Sequence, residues 1–115
     1  MREISYDGRR FRAVTNSSAG EVSSETVFRY HEQDGVVWAE YSGGGIVRGM
    51  LLAAKSADGS LDMRYQHVNG RGELMTGVCR SRLEILSDGR YRIHELWKWT
   101  CGDGSTGEST VEEIA

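Results

Sequence analysis

The stretch SADGSLDMRYQHVNGRGELMTGVCRSRLEILSDGRYRIHELWKW, residues 56–99, decides the fold. Asp58-Gly59, Asn69-Gly70 and Asp88-Gly89 divide it into runs in which apolar and polar residues alternate. Alternation with period two marks a half-buried strand, and an Asx-Gly pair supplies the positive φ that a tight hairpin needs. Two further pairs, Asp7-Gly8 and Asp34-Gly35, stand upstream. The chain therefore reads as an antiparallel meander.

Outward from this stretch, eight strands are predicted, at about 10–16, 22–33, 36–42, 46–57, 60–68, 73–87, 90–101 and 106–114. No segment keeps apolar residues at helical spacing, and the chain has 15 glycines and no proline, a composition that leaves strand ladders uninterrupted. A meander with short hairpins favours an all-β, single up-and-down antiparallel barrel, because closure removes exposed edges. At 115 residues the chain reads as one domain, 1–115, able to bury roughly two-thirds of its unfolded surface. A net charge of −3 gives no general grip on nucleic acid or anionic lipid. No run approaches the ~18 apolar residues of a membrane span, and Met1 to Val14 lacks the apolar core of a secretory signal, so a cytoplasmic location is expected.

Turn lengths then fix the registers. Two-residue turns at Asp58-Gly59 and Asp88-Gly89 set Leu52 opposite Tyr65, Lys55 opposite Asp62, Arg80 opposite Trp97 and Arg82 opposite Glu95. A four-residue loop from Asn69 to Gly72 sets Met63 opposite Val78 and His67 opposite Leu74. One face then gathers Met50, Leu52, Ala54, Leu61, Met63, Tyr65, His67, Val78, Ile93, Trp97 and Trp99, and this is the predicted interior. Leu51, Ala53, Leu83, Ile85 and Leu96 fall on the exterior, an apolar patch suited to a homodimer or to packing by the terminal segments. Trp38 pairs with His31 and is either exposed or on a bulged strand.

The same register sends Arg80, Arg82, Glu84 and Glu95 inward with Tyr65 and His67. Buried charges must be paired, stand near a mouth, or line a wet cavity. One reading is a structural Arg82–Glu95 pair at a barrel end, with Arg80 against the face of Trp97. The other is a ligand pocket walled by Tyr65, Met63, Trp97 and Trp99, with Arg80, Arg82 and Glu95 orienting a small anionic or aromatic molecule. An enzyme of isomerase or hydrolase type would use the same cavity, with Glu95 or His67 as acid or base and Tyr65 or Arg80 steadying an oxyanion. His67 lies next to a turn and reads as a solvated rim residue. The histidines lack metal-ligand spacing, and no cofactor motif is present. Cys79 is placed opposite Lys98 on the exterior and Cys101 on the other face, so both are expected as free thiols.

The segments EYSGG (Glu40 to Gly44), MRYQHVN (Met63 to Asn69), GELMTGVC (Gly72 to Cys79) and HELWKWTCGDGSTGES (His94 to Ser109) resemble a family of small uncharacterised bacterial proteins of this length. The similarity runs from Phe11 to Glu113 and implies a barrel of the lipocalin or avidin (calycin) type. Some members carry the label N-acetylglutamate synthase. Acetyl transfer from coenzyme A in the usual fold holds the pyrophosphate on a Q/R-x-x-G-x-G/A loop and the helix that follows. This chain has neither, so its residues do not support N-acetyltransferase activity.

Overall fold

A computed structural model of the chain describes residues 3–115. Eight antiparallel strands close into a barrel in sequence order: β1 (Arg10–Asn16), β2 (Val27–Gln33), β3 (Val36–Gly43), β4 (Ile46–Lys55), β5 (Leu61–Asn69), β6 (Leu74–Ile85), β7 (Tyr91–Trp99) and β8 (Thr106–Glu113). β8 returns to β1, with Phe11 opposite Glu113 and Asn16 opposite Ser109, and this pairing completes the wall.

Only one of the Asx-Gly hairpins, Asp34-Gly35, is a two-residue turn with both residues at positive φ (52° and 77°). Its predicted register, Gln33 opposite Val36 and His31 opposite Trp38, is the one observed. At the other three hairpins the left-handed conformation falls on glycine alone, at Gly59, Gly72 and Gly89. Ser56, Asn69 and Leu86 each accept a hydrogen bond from the glycine three residues on and donate one to the carbonyl four residues on. These are three-residue loops, a type I turn closed by a glycine bulge. The side chains of Asp58, Asn69 and Asp88 hold the turn by accepting from the amide two residues ahead, at 2.9–3.0 Å.

Each of these registers therefore differs by one residue from the two- and four-residue reading. Leu51 lies opposite Tyr65, Cys79 opposite Met63 and Trp97, and Ser81 opposite Glu95. A shift of one residue exchanges the two faces of a strand. On β4 the predicted interior residues Met50 and Leu52 are 53% and 59% exposed, whereas Leu51 and Ala53 are buried. On β6, Arg80 and Arg82 are exposed, Val78 is not in the core, and Cys79 and Ser81 face inward. β5 and β7 keep the predicted facing, because the shift entering β6 is undone by the shift leaving it. Lys55 does not meet Asp62; it pairs with Glu32 and donates to the Ile4 carbonyl. Trp38 is exposed and stacks on His31, ring centres 5.4 Å apart.

The two ends of the barrel differ. Residues 4–9 plug the end where β1 begins. Tyr6 is fully buried there, its hydroxyl donates to the Gly59 carbonyl (2.6 Å), and its ring packs on Tyr30 and Tyr91. Phe11, Leu61, Ile93 and Val111 complete this solid half. At the opposite end the segment between β1 and β2, read from sequence as a turn and the start of a strand, leaves the sheet and crosses the barrel mouth as a strap.

Gly70 and Gly72 share one loop and have nothing within 4 Å of where a Cβ would stand, yet only Gly72 has positive φ (78°). Gly72→Ala is expected to lower stability by about 1–2 kcal/mol through backbone conformation alone. Gly70→Ala should be neutral or slightly stabilising, by up to ~1 kcal/mol. Urea denaturation of the two variants checks this; equal effects would show that backbone handedness does not hold the turn.

Candidate functional site

Between the solid half and the strap lies a cavity of about 50 Å³. Its wall is built from residues of all eight strands: Asn16, Phe28, Tyr41, Leu51, Met63, Tyr65, His67, Cys79, Glu95, Trp97, Trp99 and Ser109. Gly20, Glu21 and Val22 of the strap form its roof.

Glycines on neighbouring strands place the aromatic wall. Tyr41 lies opposite Gly49, Tyr65 opposite Gly77 and Trp97 opposite Gly107. A Cβ at any of the three would overlap the facing ring, so the missing side chain lets each ring lie flat over its neighbour's backbone. Trp97 and Trp99 are tilted against each other at 5.6 Å, and Tyr65 and His67 each meet Trp99 edge-on at 5.7 Å.

The roof is tied down by polar contacts. Trp99 Nε1–H donates to the Ala19 carbonyl (3.0 Å) and Asn16 Nδ2–H donates to the Val22 carbonyl (3.0 Å). Glu21 reaches into the barrel, where its Oε1 is 2.8 Å from His67 Nε2. Its Oε2 accepts from Asn69 Nδ2 (3.0 Å) and from the Arg71 guanidinium (3.1 Å). A carboxylate only accepts, so His67 Nε2 carries a proton, and in the neutral ring Nδ1 accepts from the Tyr41 hydroxyl at 2.9 Å. His67 is thus a 2%-exposed clasp between wall and roof, a correction to the solvated rim residue expected from sequence. Its proximity to a turn was the misleading cue, since the strap covers that turn.

Glu95 is the unusual group. Its Oε1 accepts a 2.7 Å bond from the Ser109 hydroxyl, and among the described residues no cation lies within ion-pair distance of it. Burial pushes its pKa up to about 7, against the opposing pull of the Ser109 bond. Its position places it on the wall of the cavity. Burial likewise pushes the Tyr41, Tyr65 and Cys79 side chains above their ordinary values, with the Glu95 charge adding to each.

Five of the seven residues expected to bind ligand therefore line this cavity: Met63, Tyr65, Glu95, Trp97 and Trp99. Arg80 and Arg82 do not; they lie opposite Leu96 and His94 on the exterior. The anticipated Arg82–Glu95 pair and the stacking of Arg80 on Trp97 are absent for the same reason. Cys79 faces the cavity, opposite Trp97, instead of facing Lys98 outside. Sequence reasoning missed Asn16, Glu21, Phe28, Tyr41 and Ser109. Glu21 gave no signal, because nothing local marks the strap's return to the barrel mouth. Tyr41 and Ser109 lie in segments of the resemblance, EYSGG and HELWKWTCGDGSTGES.

The family described as avidin-like protein matches residues 4–114, almost the whole chain. The chain belongs to the avidin-like family. The closed eight-stranded barrel is the architecture that the family resemblance implied. No curated protein matches the chain in sequence. In this avidin-like barrel, the cavity with its aromatic wall and the Glu95 carboxyl that lacks a cation is the feature with chemical capacity.

The Glu95 shift carries a pH signature. The unfolded chain loses this proton near 4.5, and the folded chain holds it to about 7. Below the lower value both states are protonated and Glu95 contributes nothing. Between the two values the folded state binds the extra proton, so stability falls as pH rises, by on the order of 3 kcal/mol in total, and is level above. Glu95→Gln is expected to flatten this segment of the stability–pH profile, as read by urea denaturation across the range. An unchanged slope would place the carboxyl in water.

Proposed function

We propose that this avidin-like barrel is a binding protein that takes a compact small molecule into the cavity at the strapped end. The single observation that carries this reading is the unfilled space beside Glu95, Trp97 and Trp99 in an otherwise solid interior. A barrel built only for stability would fill that space with aliphatic side chains and would not leave a carboxyl there. At about 50 Å³ the space takes a group of a few heavy atoms, far below the ~300–1,000 Å³ of a drug-sized site. A coenzyme A thioester is much larger, and no Lys or Arg side chain lines the wall to hold its pyrophosphate. The reading is thus binding and not acetyl transfer. Met63, Tyr65, Trp97 and Trp99 supply the walls, and Glu95 supplies the orienting group. With Arg80 and Arg82 outside, the case for an anionic ligand loses its basis, while the aromatic wall remains.

A second reading draws on the acidity of Glu95. A buried carboxyl that titrates near neutral pH suits general acid or base catalysis, with Tyr65 on the same wall as a hydrogen-bond donor.

A dimer has its own support. Trp38, Met50 and Leu52 lie adjacent on the outer wall of β3 and β4, around a hollow of about 840 Å³; of the exterior patch expected from sequence, Ile85 and Leu96 are exposed, whereas Leu51 and Ala53 are buried. Leu52→Glu is expected to shift a dimer to monomer in sedimentation velocity. Wild-type protein that sediments as a monomer at every concentration would remove this reading.

Thermal-shift screening against small metabolites, with native mass spectrometry of the hits, tests the binding reading. The expected outcome is a stoichiometric ligand whose stabilisation is lost in Trp97→Leu. If no compound stabilises the wild type, or if every hit survives the substitution, the cavity is not the site.

A further inference from the structure

We propose that the group accepted by the cavity is a small organic cation bearing N–H donors, an ammonium or amidinium head, held between the Glu95 carboxylate and the rings of Trp97, Trp99 and Tyr65. This rests on the binding reading above and adds the charge of the ligand to it.

Charge balance is the first argument. Two carboxyls border the cavity, Glu21 and Glu95, and no Lys or Arg side chain does. Glu21 is compensated by Arg71, His67 and Asn69. Glu95 has only the Ser109 hydroxyl. An anionic guest would set a second negative charge against the carboxylate in a low-dielectric site, and a neutral guest would leave the carboxyl holding its proton. A cation supplies the missing countercharge.

Hydrogen-bond capacity is the second argument. Ser109 occupies Glu95 Oε1, and among the described residues no donor reaches Oε2. The ionised carboxylate thus offers the cavity an unmatched acceptor, and a guest that pairs with it must donate. That favours a protonated amine or amidine over a quaternary ammonium, which has no N–H. The wall supplies the rest: aromatic faces attract a cation most strongly where water is excluded.

The groups that could compete with a cation for Glu95 can be named strand by strand. They are Tyr30 on β2, Tyr41 on β3, Tyr65 and His67 on β5, Cys79 on β6, and Glu21 on the strap. Burial pushes the tyrosines and the thiol up, so they stay neutral where Glu95 titrates. His67 is committed to Glu21 and Tyr41. Glu95 is the carboxyl of the site that has no charged partner, and cation affinity should rise as its proton leaves.

Acetamidinium, acetamide and acetate have nearly the same shape and carry positive, zero and negative charge. Each is titrated into ¹⁵N-labelled protein while the indole N–H signals of Trp97 and Trp99 are followed. Acetamidinium should shift both signals saturably and bind at least about tenfold more tightly than acetamide, with acetate silent. Its affinity should increase about tenfold between roughly pH 6 and pH 8, as the fraction of ionised Glu95 grows. In Glu95→Gln the preference for the cation should vanish. The pH series on the wild type tests the same point should that variant not fold. Equal or tighter binding of acetamide or acetate overturns the cation proposal and leaves the binding reading standing. Silence from acetamidinium at every pH also overturns it, and the metabolite screen separately reports whether the cavity binds anything.

Discussion

Left-handed backbone at Gly59, Gly72 and Gly89 decides which side chains of β4 to β7 see the barrel interior. With the positive φ confined to one glycine, each loop takes three residues and the strands on either side meet in a single register. Were the preceding residue to share the left-handed conformation, as Asp34 does ahead of Gly35, the loop would shorten to two and one strand would turn over. That choice puts Leu51, Ala53, Cys79 and Ser81 inside and sends Arg80 and Arg82 to solvent. The cavity's composition, its lack of guanidinium groups above all, follows from turn geometry.

The same economy of side chains builds the aromatic wall. A ring held flat against a barrel needs space over the adjacent strand, and Gly49, Gly77 and Gly107 provide it where Tyr41, Tyr65 and Trp97 cross. These glycines do not turn the chain; they yield volume to a neighbour. The interior thus combines large rings with open space, because rings pinned to the wall do not meet at the axis. The strap closes that space from above, and the Glu21–His67–Tyr41 chain of hydrogen bonds gives the closure a fixed position relative to the rings.

Strand number, order and closure were legible because alternation and Asx-Gly punctuation are local signals, and a meander leaves few topologies open. Facing was legible only in part. An Asx-Gly pair is compatible with a two-residue turn or with a three-residue turn and bulge, and the choice depends on the φ of the Asx residue, which sequence does not display. The offsets before and after β6 cancelled, so Glu95, Trp97 and Trp99 were placed inside on a strand whose neighbour was inverted. Glu21 was illegible for a different reason. Its position depends on contacts with Asn69 and Arg71, some fifty residues away, and no periodicity within residues 17–26 encodes them.

The two ends of the barrel treat charge in opposite ways, and the contrast separates stability from function. At the plugged end Arg9 binds Glu113 at 2.9 Å, Lys55 meets Glu32, and Arg90 and Arg92 share Glu112. Acids there are matched by bases, as partly buried ions must be. At the strapped end Glu21 is matched too, yet Glu95 sits deeper with one hydroxyl for company and open space in front of it. Replacing it by an apolar residue of similar size would remove a desolvation cost and fill part of the void, so folding alone gives no reason for a carboxyl at that point. A reason appears once the space has an occupant. A guest that donates hydrogen bonds and carries positive charge converts the cost of Glu95 into affinity, and the rings that leave the void unfilled become the surface against which that guest packs.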